Sequence, residues 1–276
     1  MPKRRYFIER VLNNNSILIK GTNNHTKILT GKGIGFNQKA NTFTEIEDYL
    51  IEKSFFNYDE TLKNQLIDLI TNFDENIIQV SNQIITLAEK KFGELNTHVY
   101  ISLTDHLSFA LDRLKNNQII TNPFQSSIQL LLFEEYEIAL QAREIIEEKF
   151  SVLIPDEEVG FIAFHLNAAR ENIKVNYVVQ EMRIYKAIIQ MIETEFKIEL
   201  ESTKCADLYL IIQAYVKQKA LPLQFLIENV KLKQYSTGSK KYNLLKKIVD
   251  YIENQTDRAL TNKQKLVLTA YIEYII

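Results

Sequence analysis

Hydrophobic and polar residues follow two different patterns along the chain, and the change comes near Tyr58. Before it, short runs rich in Ile, Leu, Val and aromatic residues alternate with clusters of Asn and Gly. Such clusters form hairpin turns, because Asn and Gly tolerate positive φ angles, so the runs between them are typical of β-strands. The pattern predicts strands over 5–12, 16–20 and 26–30, with turns at 13–15 and 21–24. A fourth strand is predicted near 42–54, where the acidic sequence also fits a helix.

After Tyr58 the apolar residues recur every three or four positions, which is the period of an amphipathic helix. Gly93 is predicted to end one helix, and Asn96 or Thr97 to cap the next. Pro155 is predicted in a first helical turn, since the acids that follow it suit a helix N-terminus. The predicted helices cover 62–73, 75–92, 97–116, 124–150 and 155–170 in a first block, and 177–196, 203–219, 222–235, 239–255 and 262–276 in a second, with a loop at 236–239.

The two helical blocks resemble each other. A shift of about 105 residues superimposes helix on helix, so that Leu153-Ile154-Pro155 falls on Ala259-Leu260-Thr261. The sequence therefore predicts an α+β multidomain protein, with a small antiparallel β-sheet head followed by two all-α five-helix bundle repeats. A single long helical array is the alternative. The predicted domains cover 1–57, 62–171 and 175–276, and a polar linker separates the last two.

Charge is distributed unevenly over these domains, although the whole chain carries a net charge of only −2. The first 44 residues contain eight Lys and Arg residues against a single acid, Glu9, which leaves −9 for the remainder. A basic head on an acidic body indicates a polyanion-binding module, for which nucleic acid is the favoured ligand. The alternative is a basic face that only keeps the head in solution. Because about 55 residues bury little surface alone, we expect the head to pair with a second copy.

Composition excludes several classes of protein. Hydrophobic residues make up 46% and charged residues 25%, as in ordinary globular proteins. No apolar run approaches the roughly 20 residues of a membrane span, and we expect no signal peptide and no membrane insertion. Cys205 is the sole cysteine, so an internal disulfide or a cysteine metal cage is excluded, and a cytoplasmic location is expected.

Two of the four histidines lie at helix positions where a histidine side chain could bind or react with a partner. His25 is expected in a turn and His98 on the surface, whereas His106 and His165 lie inside predicted helices. Both fall about 90° from the centre of an apolar stripe, at the border between core and water. Such a residue is a packing residue, a metal ligand or a phosphoryl acceptor. Metal binding is disfavoured because no acid or cysteine lies at coordinating spacing, but spacing does not separate the other two interpretations.

Sequence motifs for nucleotide binding, metalloprotease, thiol redox or hydrolase chemistry are absent. We therefore expect neither an enzyme nor a cofactor, and no metal site. The stretch Gly31-Lys32-Gly33-Ile34-Gly35 superficially resembles a phosphate loop, but no long helix follows it. Lysine-flanked glycines in a turn between strands are better suited to close approach to a nucleic-acid backbone.

These motifs resemble those of a known family, the BglG/SacY/LicT transcriptional antiterminators. The sequences Val11-Leu12-Asn13-Asn14-Asn15 and Gly31-Lys32-Gly33-Ile34-Gly35-Phe36 are similar to their RNA-binding head. Thr104-Asp105-His106-Leu107 and the stretch from Asp156 to Leu166 resemble the two histidine motifs of their first regulatory domain. Domain order, domain sizes and the internal duplication agree over the whole chain, and the glycine loop is most similar to that of glucose-operon members.

The resemblance implies a function. Such proteins bind, as homodimers, a hairpin in leader mRNA and prevent formation of an overlapping terminator, so that a sugar-uptake operon is transcribed. The sugar phosphotransferase system controls them through histidine phosphorylation, which implies phosphorylation of His106 and His165. It also implies as partners a sugar-specific transporter (enzyme II) and the phosphocarrier protein HPr. The family's RNA contacts correspond to Arg10, Asn13, Asn15, Gly31, Lys32 and Phe36.

Three alternatives remain open from the residues alone. The Asn run could serve only to turn the chain, and Phe36 only to fill the sheet core. A DNA-binding activator with the same regulatory domains is the second function, although it needs a helix-turn-helix that the strand-like head does not resemble. An enzyme that passes phosphate onward from His106 or His165 is the third, but a motif for a second substrate is missing.

The second repeat departs from the family pattern. The positions that match its two histidines are Ile211 and Tyr271, and no histidine follows His165. The acidic start of its last motif is replaced by Asn262-Lys263-Gln264-Lys265. We expect this repeat to be a structural dimerisation unit and control to depend on His106 and His165.

Overall fold

The computed structural model describes residues 3–20, 26–55, 60–217 and 239–276. Within these ranges a five-stranded sheet precedes ten α-helices, which confirms the predicted antiparallel sheet head followed by helices. The strands are β1 (Lys3–Asn13), β2 (Ser16–Lys20), β3 (Thr26–Thr30), β4 (Thr42–Glu47) and β5 (Lys53–Phe55). The helices are α1 (Glu60–Asn72), α2 (Glu75–Phe92), α3 (His98–Lys115), α4 (Gln125–Leu131), α5 (Phe133–Phe150), α6 (Asp156–Arg170), α7 (Val175–Phe196), α8 (Ser202–Val216), α9 (Lys240–Thr256) and α10 (Asn262–Ile275).

The sheet has the order β4-β1-β2-β3-β5, and every neighbouring pair is antiparallel. Pairing of β1 with β2 shifts register twice, which bends the strand near the hairpin turn. One face carries the apolar core of the head, because alternate residues of each strand point to the same side. This core consists of Ile8, Ile17, Ile19, Leu29, Ile34 and Ile46.

Three details of the predicted elements were wrong. Residues 42–54 form two strands on opposite edges of the sheet, because a 3₁₀ turn over Asp48–Leu50 redirects the chain between them. The helix predicted after Pro123 is broken at Leu132 (φ −117°, ψ 41°), which separates α4 from α5. Pro155 precedes α6 as its N-cap, in an extended conformation. The turn at 21–24 with His25, the helix at 222–235 and the loop at 236–238 lie outside the described residues.

The chain divides into two compact units, one of residues 1–118 with 144–153 and one of 119–143 with 154–276. These units do not coincide with the three predicted domains, and the three-domain organisation stays a prediction. Helix ends do repeat with the predicted shift. Ser151 and Asp257 end α5 and α9 with φ of 53° and 52°, and Gly93 and Lys197 end α2 and α7 with φ of 83° and 53°.

Two glycines of the loop after β3 contact the backbone of the β1–β2 hairpin turn. Gly31 N–H donates to Asn15 O at 2.9 Å, and Gly35 N–H donates to Asn14 O at 2.9 Å. A Cβ atom on Gly35 would lie 2.1 Å from Asn13 O, and one on Gly31 would lie 1.8 Å from Leu50 O. Both distances are impossible without backbone movement. The two segments therefore hold each other by backbone contact that only glycine permits.

We expect Gly35→Ala to lower the free energy of unfolding by about 1–3 kcal/mol, because the methyl group forces the loop away from the turn. Gly33→Asn is the matched control. Gly33 has φ of 74° with open space around its Cα, a conformation that Asn tolerates. Chemical unfolding of the full chain measures both variants. Equal losses in the two would contradict the close approach at Gly35.

The second unit contains a buried charge cluster where the ends of α6 and α8 meet α7. Lys217 Nζ lies 3.4 Å from Glu181 Oε2 and 3.5 Å from Glu171 Oε2. The Glu181 side chain is almost fully buried, and Tyr209 and Gln213 are also close enough to interact with it electrostatically. Burial raises the pKa of Glu181 to about 7 against the opposing attraction of Lys217, while the negative charge of Glu171 raises it further.

This raised pKa makes stability depend on pH. Since Glu181 in the folded chain holds its proton up to about pH 7, its contribution is complete below about pH 4.5 and is lost as pH rises through 7. We therefore expect Glu181→Gln to match the native chain at about pH 5 and to be more stable by on the order of 2 kcal/mol at about pH 8. Thermal unfolding across this range measures the difference. A constant difference would show that Lys217 keeps the carboxylate ionised throughout.

Candidate nucleic-acid interface and regulatory histidines

The β1–β2 hairpin turn and the loop after β3 form one surface at the end of the sheet. Asn13 Oδ1 accepts a hydrogen bond from Asn15 N–H at 2.9 Å, which turns the chain. Asn15 Oδ1 in turn accepts from Gly33 N–H at 2.5 Å and so reaches across to the loop. These bonds and the backbone contact of Gly31 bring together Asn13, Asn15 and Gly31, which are three of the six predicted RNA contacts.

The other three predicted contacts are exposed side chains near this surface. Lys32 follows Gly31 in the loop, and Phe36 follows Gly35. The Phe36 side chain is 61% exposed, so it does not fill the sheet core, and its ring is open to a stacking partner. Arg10 is exposed on β1, three residues before the turn.

Charge pairing differs between the two ends of β1. At its start, Lys3 pairs with Glu47 at 3.5 Å and Arg4 with Asp48 at 3.1 Å. Within the described part of the chain, Arg10 and Lys32 have no acidic partner. The charges of Arg10 and Lys32 near the hairpin turn are therefore available to a phosphate backbone.

Residues of α1 and α2 also reach this surface. Asn13 Nδ2 donates to the carbonyl oxygen of Ile70 at 3.1 Å, and Asn15 Nδ2 donates to the carboxylate of Glu75. Sequence reasoning missed both contacts, because Ile70 and Glu75 lie about 60 positions after the turn. The Asp74-Glu75 pair at a helix start signals only a capped N-terminus, which the structure confirms through Asp74.

His106 lies on α3 in the first unit, half-buried between core and water as predicted. Its neighbours Leu103 and Leu107 are buried, whereas Asp105 is exposed. The Nε2 atom of the ring is inaccessible to solvent. Phe109, one turn further along α3, is 62% exposed beside it.

His165 lies on α6 in the second unit and is also half-buried. Its Nδ1 atom is inaccessible to solvent. One turn away, Arg170 Nη1 lies 2.7 Å from Glu134 Oε2 and 3.1 Å from the buried Glu135, which also accepts from Asn167 Nδ2 at 3.2 Å. Burial lowers the pKa of Arg170, but its hydrogen bonds to Glu134 and Glu135 raise the pKa by more. Arg170 therefore stays charged and joins the end of α6 to α5. Sequence reasoning did not identify this cluster, whose acids lie on α5.

The two positions that were predicted to match the histidines in the second repeat are both buried. Ile211 is fully buried on α8, and Tyr271 on α10 is 5% exposed. The Tyr271 hydroxyl donates to the carbonyl oxygen of Lys204 at 2.9 Å, which ties α10 to α8. His98, by contrast, is exposed at the start of α3 as predicted.

Neither a metal-binding group nor a membrane-spanning helix emerges from the described ranges. In them, no three His, Cys, Asp or Glu side chains converge as metal ligands. Among the same residues, no helix is long and apolar enough to cross a membrane.

Comparison with known proteins identifies the two kinds of domain. Residues 6–64 match the CAT RNA binding domain family, and residues 82–169 match the PRD domain family. The transcription antiterminator LicT of Bacillus subtilis (strain 168) is 27% identical over 98% of both chains. Protein GlcT of Staphylococcus aureus (strain bovine RF122 / ET3-1) is 28% identical over 98% of this chain and 96% of its own.

A solved structure supports the same assignment. The crystal structure of GlcT CAT-PRDI is 35% identical, covers 60% of this chain and 98% of its own, and superimposes with a TM-score of 0.55. The match of residues 6–64 to an RNA-binding domain supports the RNA-binding interpretation over the DNA-binding one. The chain therefore belongs to the BglG/SacY/LicT family of transcriptional antiterminators, with a CAT RNA-binding domain followed by a PRD domain.

Proposed function

We propose that the chain binds a hairpin in the leader mRNA of a sugar-uptake operon, and that phosphorylation of His106 and His165 controls this binding. The observation that carries the proposal is the joint surface of hairpin turn and loop, where Asn15 bonds to the loop and Phe36 is exposed. As a regulator acting on nascent RNA, the protein would work in the cytoplasm as a homodimer, without catalysing a reaction of its own.

The surface suits unpaired RNA chemically. The carboxamides of Asn13 and Asn15 carry both a donor and an acceptor, which base edges require, whereas Lys32 and Arg10 offer charge to phosphates. An exposed Phe36 ring provides a platform for an unstacked base, as sequence-specific RNA recognition commonly uses. Gly31 adds close backbone approach, since a side chain there would collide with Leu50 O.

Phosphorylation of a half-buried histidine would alter helix packing. A phosphoryl group adds between one and two negative charges and three strong acceptor oxygens, which the apolar neighbours Leu103 and Leu107 do not satisfy. Since α3 packs along α2, a charge on His106 would act on the helices that contact the head. A sugar-specific transporter and HPr are the proposed phosphate donors.

The second repeat is proposed to serve dimerisation without signalling. Ile211 and Tyr271 occupy the positions of its histidines, and neither forms a phosphoramidate. The hydrogen bond from Tyr271 to Lys204 O supports this role, because it stabilises the contact between α10 and α8.

RNA binding is tested with the full chain and a library of RNA hairpins with randomised internal loops, with DNA duplexes of the same sequences alongside. We expect salt-sensitive binding to a subset of the RNAs and weaker binding to DNA. Asn15→Ala and Phe36→Ala should each weaken binding about ten-fold, since stacking or a base contact is worth about 1–3 kcal/mol. Phe109→Ala, which removes an equally exposed ring outside the head, should bind as the native chain does. Preference for duplex DNA would contradict the proposal.

Phosphorylation is tested by incubating the full chain with purified phosphotransferase components and mapping the labelled residues. We expect label on His106 and His165, loss of each site in His106→Ala and His165→Ala, and no change in the exposed His98→Ala control. The label should stay on the protein, because a regulator does not pass it to a small molecule. Stoichiometric label beyond residue 175 would refute the structural role of the second repeat.

A further inference from the structure

Both asparagines of the proposed RNA surface already donate and accept side-chain hydrogen bonds within the chain. Inside the head, Asn13 Oδ1 accepts a hydrogen bond from Asn15 N–H, and Asn15 Oδ1 accepts one from Gly33 N–H. Asn13 Nδ2 donates to the carbonyl oxygen of Ile70 on α1, and Asn15 Nδ2 donates to the carboxylate of Glu75 on α2. Each carboxamide therefore has one of its two N–H groups and one of its oxygen lone pairs already in use.

The contact with Glu75 is incompatible with RNA at the same place. A base edge or phosphate that accepts from the N–H group of Asn15 now bonded to Glu75 must displace the carboxylate. The carboxylate also repels phosphates at short range. Glu75 therefore competes with RNA both by occupying the donor and by its charge.

Helix α2 is held to the head at its other end as well, which fixes Glu75 in place. Lys53 Nζ on β5 lies 2.8 Å from Glu89 Oε2 and 5.3 Å from the ring centre of Tyr100. Phe55 on the same strand packs edge-to-face against Tyr100 at 4.9 Å. From Glu75 to Glu89 the helix extends about 21 Å, so it crosses the head from the hairpin turn to β5.

The same helix is packed against α3, which carries His106. Buried residues Ile84 and Ile85 of α2 and Leu103 and Leu107 of α3 belong to this first unit. Because well-packed helices move as bodies rather than deform, a change in α3 would reposition α2 and with it Glu75.

We infer that this conformation is autoinhibited: Glu75 and the Ile70 carbonyl hold Asn15 and Asn13, and RNA binding requires the start of α2 to leave the hairpin turn. The inference rests on the proposed function, since it assumes that these asparagines contact RNA. It adds an intramolecular competitor for the RNA surface and names Glu75 as the residue that acts as the competitor.

The test compares the affinity of the full chain and its variants for the RNA hairpin library. Glu75→Ala should bind about five-fold tighter, because an exposed charge-assisted hydrogen bond no longer competes. Glu94→Ala is the matched control. It removes the same charge from an exposed site just beyond the other end of α2, and it should bind as the native chain does. Unchanged thermal unfolding of both variants verifies that the fold is intact.

Asn15→Ala and the double variant Glu75→Ala/Asn15→Ala complete a thermodynamic cycle. Because Glu75 acts partly by occupying Asn15, its removal should give a smaller gain in affinity once Asn15 is absent, when only charge repulsion is relieved. An equal gain in both backgrounds would overturn the proposed competition and leave only charge repulsion. Affinity of Glu75→Ala equal to that of Glu94→Ala, or weaker than native, would also overturn it, while RNA binding itself stands.

A measurement without RNA separates this inference from the proposed function. In chain labelled with ¹⁵N at asparagine, the side-chain amide signal of Asn15 should shift in Glu75→Ala and stay in place in Glu94→Ala. An unmoved signal would overturn the inference whatever the RNA result. Absence of RNA binding in every variant, despite a shifted signal, would instead overturn the proposed function and the competition that depends on it.

Discussion

The backbone contact between the hairpin turn and the loop after β3 is the constraint on which the candidate site depends. Two backbone hydrogen bonds, from Gly31 N–H to Asn15 O and from Gly35 N–H to Asn14 O, join segments about 20 positions apart. No larger residue fits at either glycine. Since Lys32 and Phe36 follow these glycines directly, the contact that closes the head also sets where a charge and an aromatic ring are exposed.

The asparagines at this contact serve two purposes that compete with each other. Asn13 Oδ1 turns the chain, and Asn15 Oδ1 binds the loop, so both oxygens are committed to the fold. The Nδ2 groups make no hydrogen bond to the described residues of the head. In this conformation they donate to the Ile70 carbonyl oxygen and the Glu75 carboxylate. A small surface whose acceptors are structural and whose donors are exchangeable is well suited to regulation, because losing the helix contacts costs the head little of its own folding.

Local sequence signals predicted the elements that depend on neighbours in the chain. Strand β2 and helix α2 begin and end where turn residues and Gly93 indicate, because turn chemistry and helix capping are local effects. The two strands within 42–54 were missed, since their separation depends on pairing with β1 on one edge and β3 on the other. Pattern alone does not encode such long-range pairing.

The candidate site shows the same limit. Resemblance to a family supplied the six head residues and two histidines, and periodicity supplied the border position of His106 and His165, which their half-buried state confirms. The Glu75 contact was not predictable, because it depends on where α2 begins relative to a turn 60 positions earlier. An acidic residue in a first helical turn is too common to indicate a tertiary partner.

The two helical repeats separate the residues that define the fold from those proposed to carry chemistry. Left-handed residues at equivalent helix ends persist in both, as with Ser151 and Asp257, because the chain must reverse direction there whatever the side chain. At the positions proposed to match the histidines, the second predicted repeat has Ile211 and Tyr271, which are buried and add packing and a hydrogen bond. A histidine at the border between core and water gives up part of this packing to keep its ring accessible. If the proposed structural role of the second predicted repeat holds, an apolar or hydrogen-bonded side chain at these positions stabilises its helices without the cost of keeping a ring accessible.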